Sequence, residues 1–136
     1  MNRALLLQIR RLAENRCDYC RLPAEYDPLP FQIDHIIAQQ HGGATLLENL
    51  AWSCLHYNKR KGPNIAGLDP LTGVLAALFH PRRQSWKRHF AWSGPTIVGR
   101  TRSARATIRV LAMNDIDAVA FRAELMEEGI FFGTSH

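Results

Sequence analysis

The chain of 136 residues has no long hydrophobic run. No stretch reaches the roughly 18 consecutive apolar residues that a membrane-spanning helix requires. The first apolar stretch is broken by Gln8 and then by Arg10 and Arg11, too early for the hydrophobic core of a secretory signal. These absences argue against a membrane or secreted protein, and we expect a cytoplasmic one.

Cysteine is also scarce, with three residues in the whole chain. An odd number of cysteines cannot form a closed set of disulfides, which argues against a small secreted scaffold. Cys17 and Cys20 are separated by two residues, a spacing typical of a metal-binding knuckle. The cysteines therefore favour a reducing compartment and a metal site.

Acidic residues are rare in the middle of the chain. Residues 59–109 hold 11 of the 17 lysines and arginines and one acid, Asp69. Clustered cations bind nucleic acids by releasing the counterions condensed on phosphates, so this stretch is a candidate nucleic-acid-binding surface. A solvated basic face is the alternative. The candidate phosphate-binding residues are Lys59, Arg60, Lys61, Arg82, Arg83, Lys87, Arg88, Arg102 and Arg105.

The pattern of apolar residues predicts a mixed α+β fold without internal repeats. The length of the chain and its 46% hydrophobic content suit a single domain over residues 1–136. An N-terminal helix, two short strands and a helix precede Gly62. A final helix is expected between Asn114 or Asp115 as its cap and Gly129 as its stop. The intervals, in chain order, are a helix over 3–15, a loop over 22–30, strands over 31–36 and within 45–53, a helix over 54–61, a strand over 74–79, a hairpin of 96–99 with 106–111, and the final helix.

The most informative segment places an acid, an imidazole and two carboxamides within 25 residues. Asp34 and His35 end an apolar run, and Asn49 and Asn58 follow a glycine pair. The pattern resembles that of the HNH endonucleases, the ββα-metal nucleases, over about a third of the chain. Its members here are Cys17, Cys20, Asp34, His35, Gly42, Gly43, Asn49, Leu50, Cys54, Asn58, Lys61 and Gly62.

The resemblance implies a ββα-metal core over about 16–62, followed by a basic C-terminal extension over about 63–136 with a β-hairpin and a helix. It also implies the catalytic set His35, Asn49 and Asn58. His35 would be the general base, because an imidazole with an ordinary pKa near 6.5 is mostly unprotonated at neutral pH.

Three further roles follow from the same resemblance. Asp34 and Asn58 would hold Mg²⁺ or Mn²⁺, since hard cations prefer oxygen ligands. Asn49 would hold the loop that orients His35. Lys59, Arg60 and Lys61 would reach the phosphate backbone from the same helix.

Asp34 and His35 pose a geometric problem. Neighbouring residues in a regular strand point to opposite faces of the sheet, so one shared site requires the strand to end or bulge there. We therefore predict a strand end near His35. Side chains that diverge on opposite faces would contradict a shared site.

The chain departs from the HNH pattern at Tyr57, where a fourth zinc ligand is expected three residues after Cys54. A phenol is a poor zinc ligand, and His56 would point about 200° away from the sulfur on a helix. Two alternatives remain. Cys17, Cys20 and Cys54 bind structural Zn²⁺ completed by His56, a rearranged ligand or water, or they pack as small apolar side chains without metal.

Three functions are compatible with this sequence. The first is a DNA endonuclease or nickase, and the second is a nucleic-acid-binding module that does not cut. The third is a non-enzymatic partner of a larger complex, in which the acidic last helix with Glu124, Glu127 and Glu128 docks another protein. A homodimer is a further expected partner.

Overall fold

A computed structural model of the chain describes residues 2–130 and 132. It confirms a mixed fold of helices and small antiparallel sheets. The chain divides into two compact units, the first comprising the residues up to Ile65 together with His80–Arg83, and the second Ala66–Phe79 and the residues from Gln84 onward. A single domain over the whole chain stays a prediction. No helix in the described part is long and apolar enough to cross a membrane.

The first unit contains a two-stranded antiparallel sheet. In chain order, one helix precedes the two strands and another follows them. Asn2 caps the first helix by accepting a hydrogen bond from the backbone of Leu5, and Ile9 on that helix is fully buried. Asp34 is opposite Ala51 across the sheet, and His35 is opposite Leu50. The elements are α1 (Arg3–Leu12), β1 (Gln32–His35), β2 (Leu50–Ser53) and α2 (Leu55–Lys61).

The loop between β1 and β2 requires both of its glycines, for different reasons. Gly42 has a φ of +87°, in the left-handed region that glycine adopts most readily. Gly43 lies against the backbone of Ile37, and a Cβ atom there would overlap the Ile37 carbonyl. The glycine pair therefore allows the chain to turn sharply beyond His35.

The second unit contains two hairpins that both contact a single helix. β3 pairs with β4 and β5 pairs with β6, and α4 packs against β3, β4 and β6. Thr107 of α4 is fully buried and accepts a hydrogen bond from the backbone of Phe79. The elements are β3 (Ala66–Leu68), β4 (Leu75–Ala77), α3 (Trp86–His89), β5 (Phe90–Ser93), β6 (Thr96–Gly99), α4 (Arg102–Val110) and α5 (Ile116–Glu127).

The predicted pairing of 96–99 with 106–111 is wrong. β6 pairs with β5, and most of 106–111 belongs to α4. Thr101 caps this helix by accepting a hydrogen bond from the Ala104 backbone, a strong local signal for a helix start. The predicted final helix is confirmed, with Asp115 as its cap. On it, Glu124, Glu127 and Glu128 are exposed, and docking of a protein partner or a second copy stays a prediction.

Asp69 organises the turn between β3 and β4. Its carboxylate accepts two hydrogen bonds from Arg105 at 2.9 Å each, one from the Thr72 hydroxyl and one from the Leu71 backbone. The hydrogen bonds from Arg105, and then those from Thr72 and Leu71, hold the pKa of Asp69 well below its ordinary value although burial acts in the opposite direction. Arg105 was predicted to bind nucleic acid; its guanidinium forms this ion pair, and the nucleic-acid contact stays a prediction.

We expect Gly43→Ala to destabilise the protein more than Gly42→Ala. The first substitution forces a methyl group into backbone and should cost about 3 kcal/mol, the upper end of overpacking. In Gly42→Ala the added methyl group meets open space, but alanine must adopt the left-handed backbone conformation there, which should cost about 1–2 kcal/mol. Urea unfolding of both variants measures the difference, and equal losses would contradict the close packing of Gly43.

We expect Asp69→Asn to lower the unfolding free energy at neutral pH by an amount that shrinks in acid. The folded-state pKa is depressed below the ordinary value of about 3.9, so the stabilisation is fully present above that pH and is lost as pH falls through the folded pKa. Urea unfolding at pH 7, 5 and 3 tests this. The exposed Asp117→Asn variant is the control, and a pH-independent loss for Asp69→Asn would refute the ion-pair explanation.

Candidate active site

Asp34, His35 and Asn58 line one cavity of about 340 Å³ in the first unit. β1 ends at His35, where the sequence requires an end if neighbouring residues are to serve one site. The other lining residues come from β1, from the loop after it and from the end of α2; they are Ile33, Ala38, Gln39, Gly62 and Pro63. The three predicted chemical groups therefore border the same space.

Asp34 is buried, and each of its carboxylate oxygens accepts a hydrogen bond. The Tyr19 hydroxyl donates to Oδ2 at 2.6 Å, and the Lys61 ammonium lies 3.1 Å from Oδ1. Burial raises the pKa of Asp34, while Lys61, Tyr19 and a charge on His35 act to lower it. Burial and the neighbouring Asp34 raise the pKa of Tyr19 well above its ordinary value, so Tyr19 remains a donor.

The His35 ring contacts Thr45, while its backbone shares Lys61 with Asp34. Its Nε2 atom lies 3.0 Å from the Thr45 hydroxyl, which also accepts a hydrogen bond from Gln39 at 3.3 Å. Its backbone carbonyl accepts a hydrogen bond from Lys61 at 3.1 Å. The ring is held at the mouth of the β1–β2 loop, where the side chain is half-buried.

Asn49 and Asn58 make different kinds of contact. The Asn49 amide nitrogen donates to the carbonyls of Ile37 and Ala44, and its oxygen accepts from the Ile37 backbone, each at 2.9 Å. Asn49 thus closes the loop that follows His35. The Asn58 amide nitrogen donates to Gln32 at 2.7 Å, so its oxygen remains the atom suited to a cation.

The three cysteines converge in the same unit. The sulfurs of Cys17, Cys20 and Cys54 all lie within 4.8 Å of one another, and all three residues are buried. Hydrogen bonds to the other two thiols, and then burial, raise the pKa of Cys54, while burial raises the pKa of Cys20. Among the described histidine, cysteine and acidic residues, none completes the group as a fourth ligand. The cluster could bind a metal ion.

The predicted phosphate-binding residues separate into two groups. Lys61 is buried against Asp34, and Arg82 makes two hydrogen bonds to Asp18, at 3.1 and 2.9 Å. Lys61, Arg82 and Arg105 thus engage their charges in ion pairs within the protein, and their contact with phosphate stays a prediction. The residues of the set that are exposed are Lys59, Arg60, Arg83, Lys87, Arg88 and Arg102.

The sequence did not reveal four residues that support the site. Tyr19 contacts Asp34, Thr45 contacts His35 and Gln32 contacts Asn58. Asp18 accepts a hydrogen bond from the Trp52 backbone at 2.7 Å in addition to its ion pair. Gln32 precedes Asp34 by two residues and so shares its face of β1, which was a readable signal. Tyr19 and Thr45 are distant in sequence from Asp34 and His35, respectively, and no sequence signal pointed to them.

Comparison with known proteins supports the interpretation of this segment. Residues 17–64 match the family model described as HNH endonuclease. No curated protein and no solved structure gives a match. The matched segment contains the cysteine cluster, the cavity and the loop closed by Asn49. Residues 17–64, about a third of the chain, are therefore similar to the HNH endonuclease family, whose members are generally nucleases.

Proposed function

We propose that the protein is a metal-dependent endonuclease that hydrolyses DNA phosphodiester bonds. The observation that carries this proposal is the cavity shared by Asp34, His35 and Asn58, built on the order β1, β2, α2. We infer that these three elements are a ββα-metal core. An acid, a base and an amide around one space can bind a cation and remove a proton from water.

His35 is the proposed general base. In the tautomer that carries its proton on Nε2, the contact with Thr45 fixes the ring, and Nδ1 is left to accept a proton from the attacking water. Asn49 supports this arrangement because its three hydrogen bonds close the loop that begins directly after His35. The role of Asn49 is therefore to position the base.

Asp34 and Asn58 are the proposed ligands for Mg²⁺ or Mn²⁺. Each Asp34 oxygen accepts one hydrogen bond and retains a second lone pair, and the Asn58 oxygen is not used by Gln32. These oxygen donors suit a hard cation. When bound, the ion would stabilise negative charge on the phosphate during hydrolysis.

DNA is the proposed substrate because the first unit, which contains the cavity, also carries exposed lysine and arginine side chains. Lys59 and Arg60 lie on α2, the helix that also contributes Asn58. Exposed arginine and lysine side chains gain affinity for phosphate through counterion release. Further exposed cations, Lys87, Arg88 and Arg102, lie in the second unit.

We also propose that the cysteine cluster binds one Zn²⁺. Zinc–sulfur bonds of about 2.3 Å place the sulfurs of a zinc site about 3.8 Å apart, which agrees with a cluster whose sulfurs all lie within 4.8 Å. Cys17, Cys20 and Cys54 would supply three of the four ligands, so the fourth must be of another kind. The ion would hold the Cys17–Cys20 turn against the start of α2.

We expect Mg²⁺- or Mn²⁺-dependent cleavage of plasmid DNA that is lost in His35→Ala. Removing a general base typically lowers the rate about 10²–10⁴-fold. Agarose gels of supercoiled plasmid, with and without chelator, measure the cleavage, and single-stranded RNA of similar length tests the choice of substrate.

His41→Ala is the matched control, since His41 is an exposed histidine of the same loop. Cleavage retained in His35→Ala would remove His35 as the base. A wild-type protein that binds DNA without cutting it would instead support the nucleic-acid-binding alternative.

We expect one zinc ion per chain in purified protein, and its loss in Cys20→Ser. Replacing zinc with Co²⁺ should give sulfur-to-cobalt absorption bands with an intensity corresponding to three thiolates. Elemental analysis and absorption spectroscopy measure both. Metal-free protein of unchanged stability would show that the cysteines pack as apolar side chains.

A further inference from the structure

We propose that Tyr19 and Lys61 are positioning residues that fix the Asp34 carboxylate in the orientation needed to bind the divalent ion. The inference rests on the proposed function and identifies the two side chains on which cation binding by Asp34 depends. Neither residue touches the substrate or the reacting water in this proposal, and both act through Asp34.

The contacts restrain both ends of the carboxylate. Tyr19 donates to Oδ2 at 2.6 Å, and Lys61 lies 3.1 Å from Oδ1 and donates to the His35 carbonyl, also at 3.1 Å. The terminal torsion of an aspartate is broad when nothing restrains it. Two donors on different oxygens remove that freedom, so one orientation of the Asp34 carboxylate is strongly favoured.

The two donors are themselves held rigidly. Tyr19 and Lys61 are both about 1% exposed. Tyr19 lies in the Cys17–Cys20 turn, where Asp18 makes two hydrogen bonds to the backbone of Trp52 on β2. The Asp18 amide donates to the Trp52 carbonyl at 2.8 Å, and the Asp18 carboxylate accepts from the Trp52 amide. Lys61 is the last residue of α2.

Three parts of the first unit therefore meet at one carboxylate. β1 carries Asp34, the cysteine turn supplies the Tyr19 hydroxyl, and the end of α2 supplies the Lys61 ammonium. The same helix carries Asn58, the other proposed ligand. Lys61 thus also sets the distance between the strand and the helix that contribute the two ligands.

Residues that orient a metal ligand typically change metal affinity about 10–100-fold when they are removed. We expect Tyr19→Phe, which deletes one oxygen atom, to raise the Mn²⁺ concentration at half-maximal cleavage about 10-fold or more. The rate at saturating Mn²⁺ should stay close to that of the wild type. Lys61→Met should also weaken Mn²⁺ binding, because Asp34 then loses the donor that fixes Oδ1.

Mn²⁺ binding to the full chain in the absence of DNA, measured by electron paramagnetic resonance, gives a readout that does not depend on cleavage. Tyr26→Phe is the matched control, since Tyr26 is 37% exposed. It should bind Mn²⁺ as the wild type does. Urea unfolding of each variant identifies a loss that is only structural, and Tyr19→Phe keeps its ring in place if Lys61→Met does not fold.

The possible failures are distinguishable. Wild-type Mn²⁺ affinity in folded Tyr19→Phe would overturn the positioning role and leave the proposed nuclease intact. Wild-type protein that binds Mn²⁺ but does not cleave would overturn the nuclease, while weaker binding by Tyr19→Phe would still support the positioning role. Absence of Mn²⁺ binding in the wild type would overturn both.

Discussion

Burial of the Asp34 carboxylate is the constraint on which the organisation of the first unit depends. A buried charge is costly unless it is paired and hydrogen-bonded, and Asp34 satisfies both requirements through Lys61 and Tyr19. Those partners come from the end of α2 and from the cysteine turn. The need to compensate one charge therefore ties the strand, the helix and the turn together around the candidate active site.

The cysteine turn has more than one structural function. Its two middle residues contact both strands of the sheet, Asp18 through Trp52 on β2 and Tyr19 through Asp34 on β1. Asp18 also holds Arg82, which lies in the first unit despite its distance in sequence. Burial raises the pKa of Asp18 while Arg82 opposes this shift, as expected for a buried ion pair. The turn would serve these contacts with or without a bound metal ion.

Much of the fold could be predicted where the signals are local. Caps, glycines and apolar spacing indicated α1, α2 and α5 and the strands β1 and β2, because such signals act within a few residues. Alternation over 106–111 was misleading. Small and apolar residues there also suit a buried helix face. This segment is helical because Thr101 caps the helix and because α4 packs against both hairpins.

The candidate site shows the same division. The sequence by itself determined the candidate chemical groups, since Asp34, His35, Asn49 and Asn58 stand in the order of the HNH pattern, and it indicated that β1 must end at His35. Only the tertiary structure decided which cations are available. Lys59 and Lys61 are two residues apart on α2, yet one is exposed and the other is buried against Asp34. Helix periodicity directs them to different sides, but only packing shows which side meets a buried carboxylate and which meets solvent.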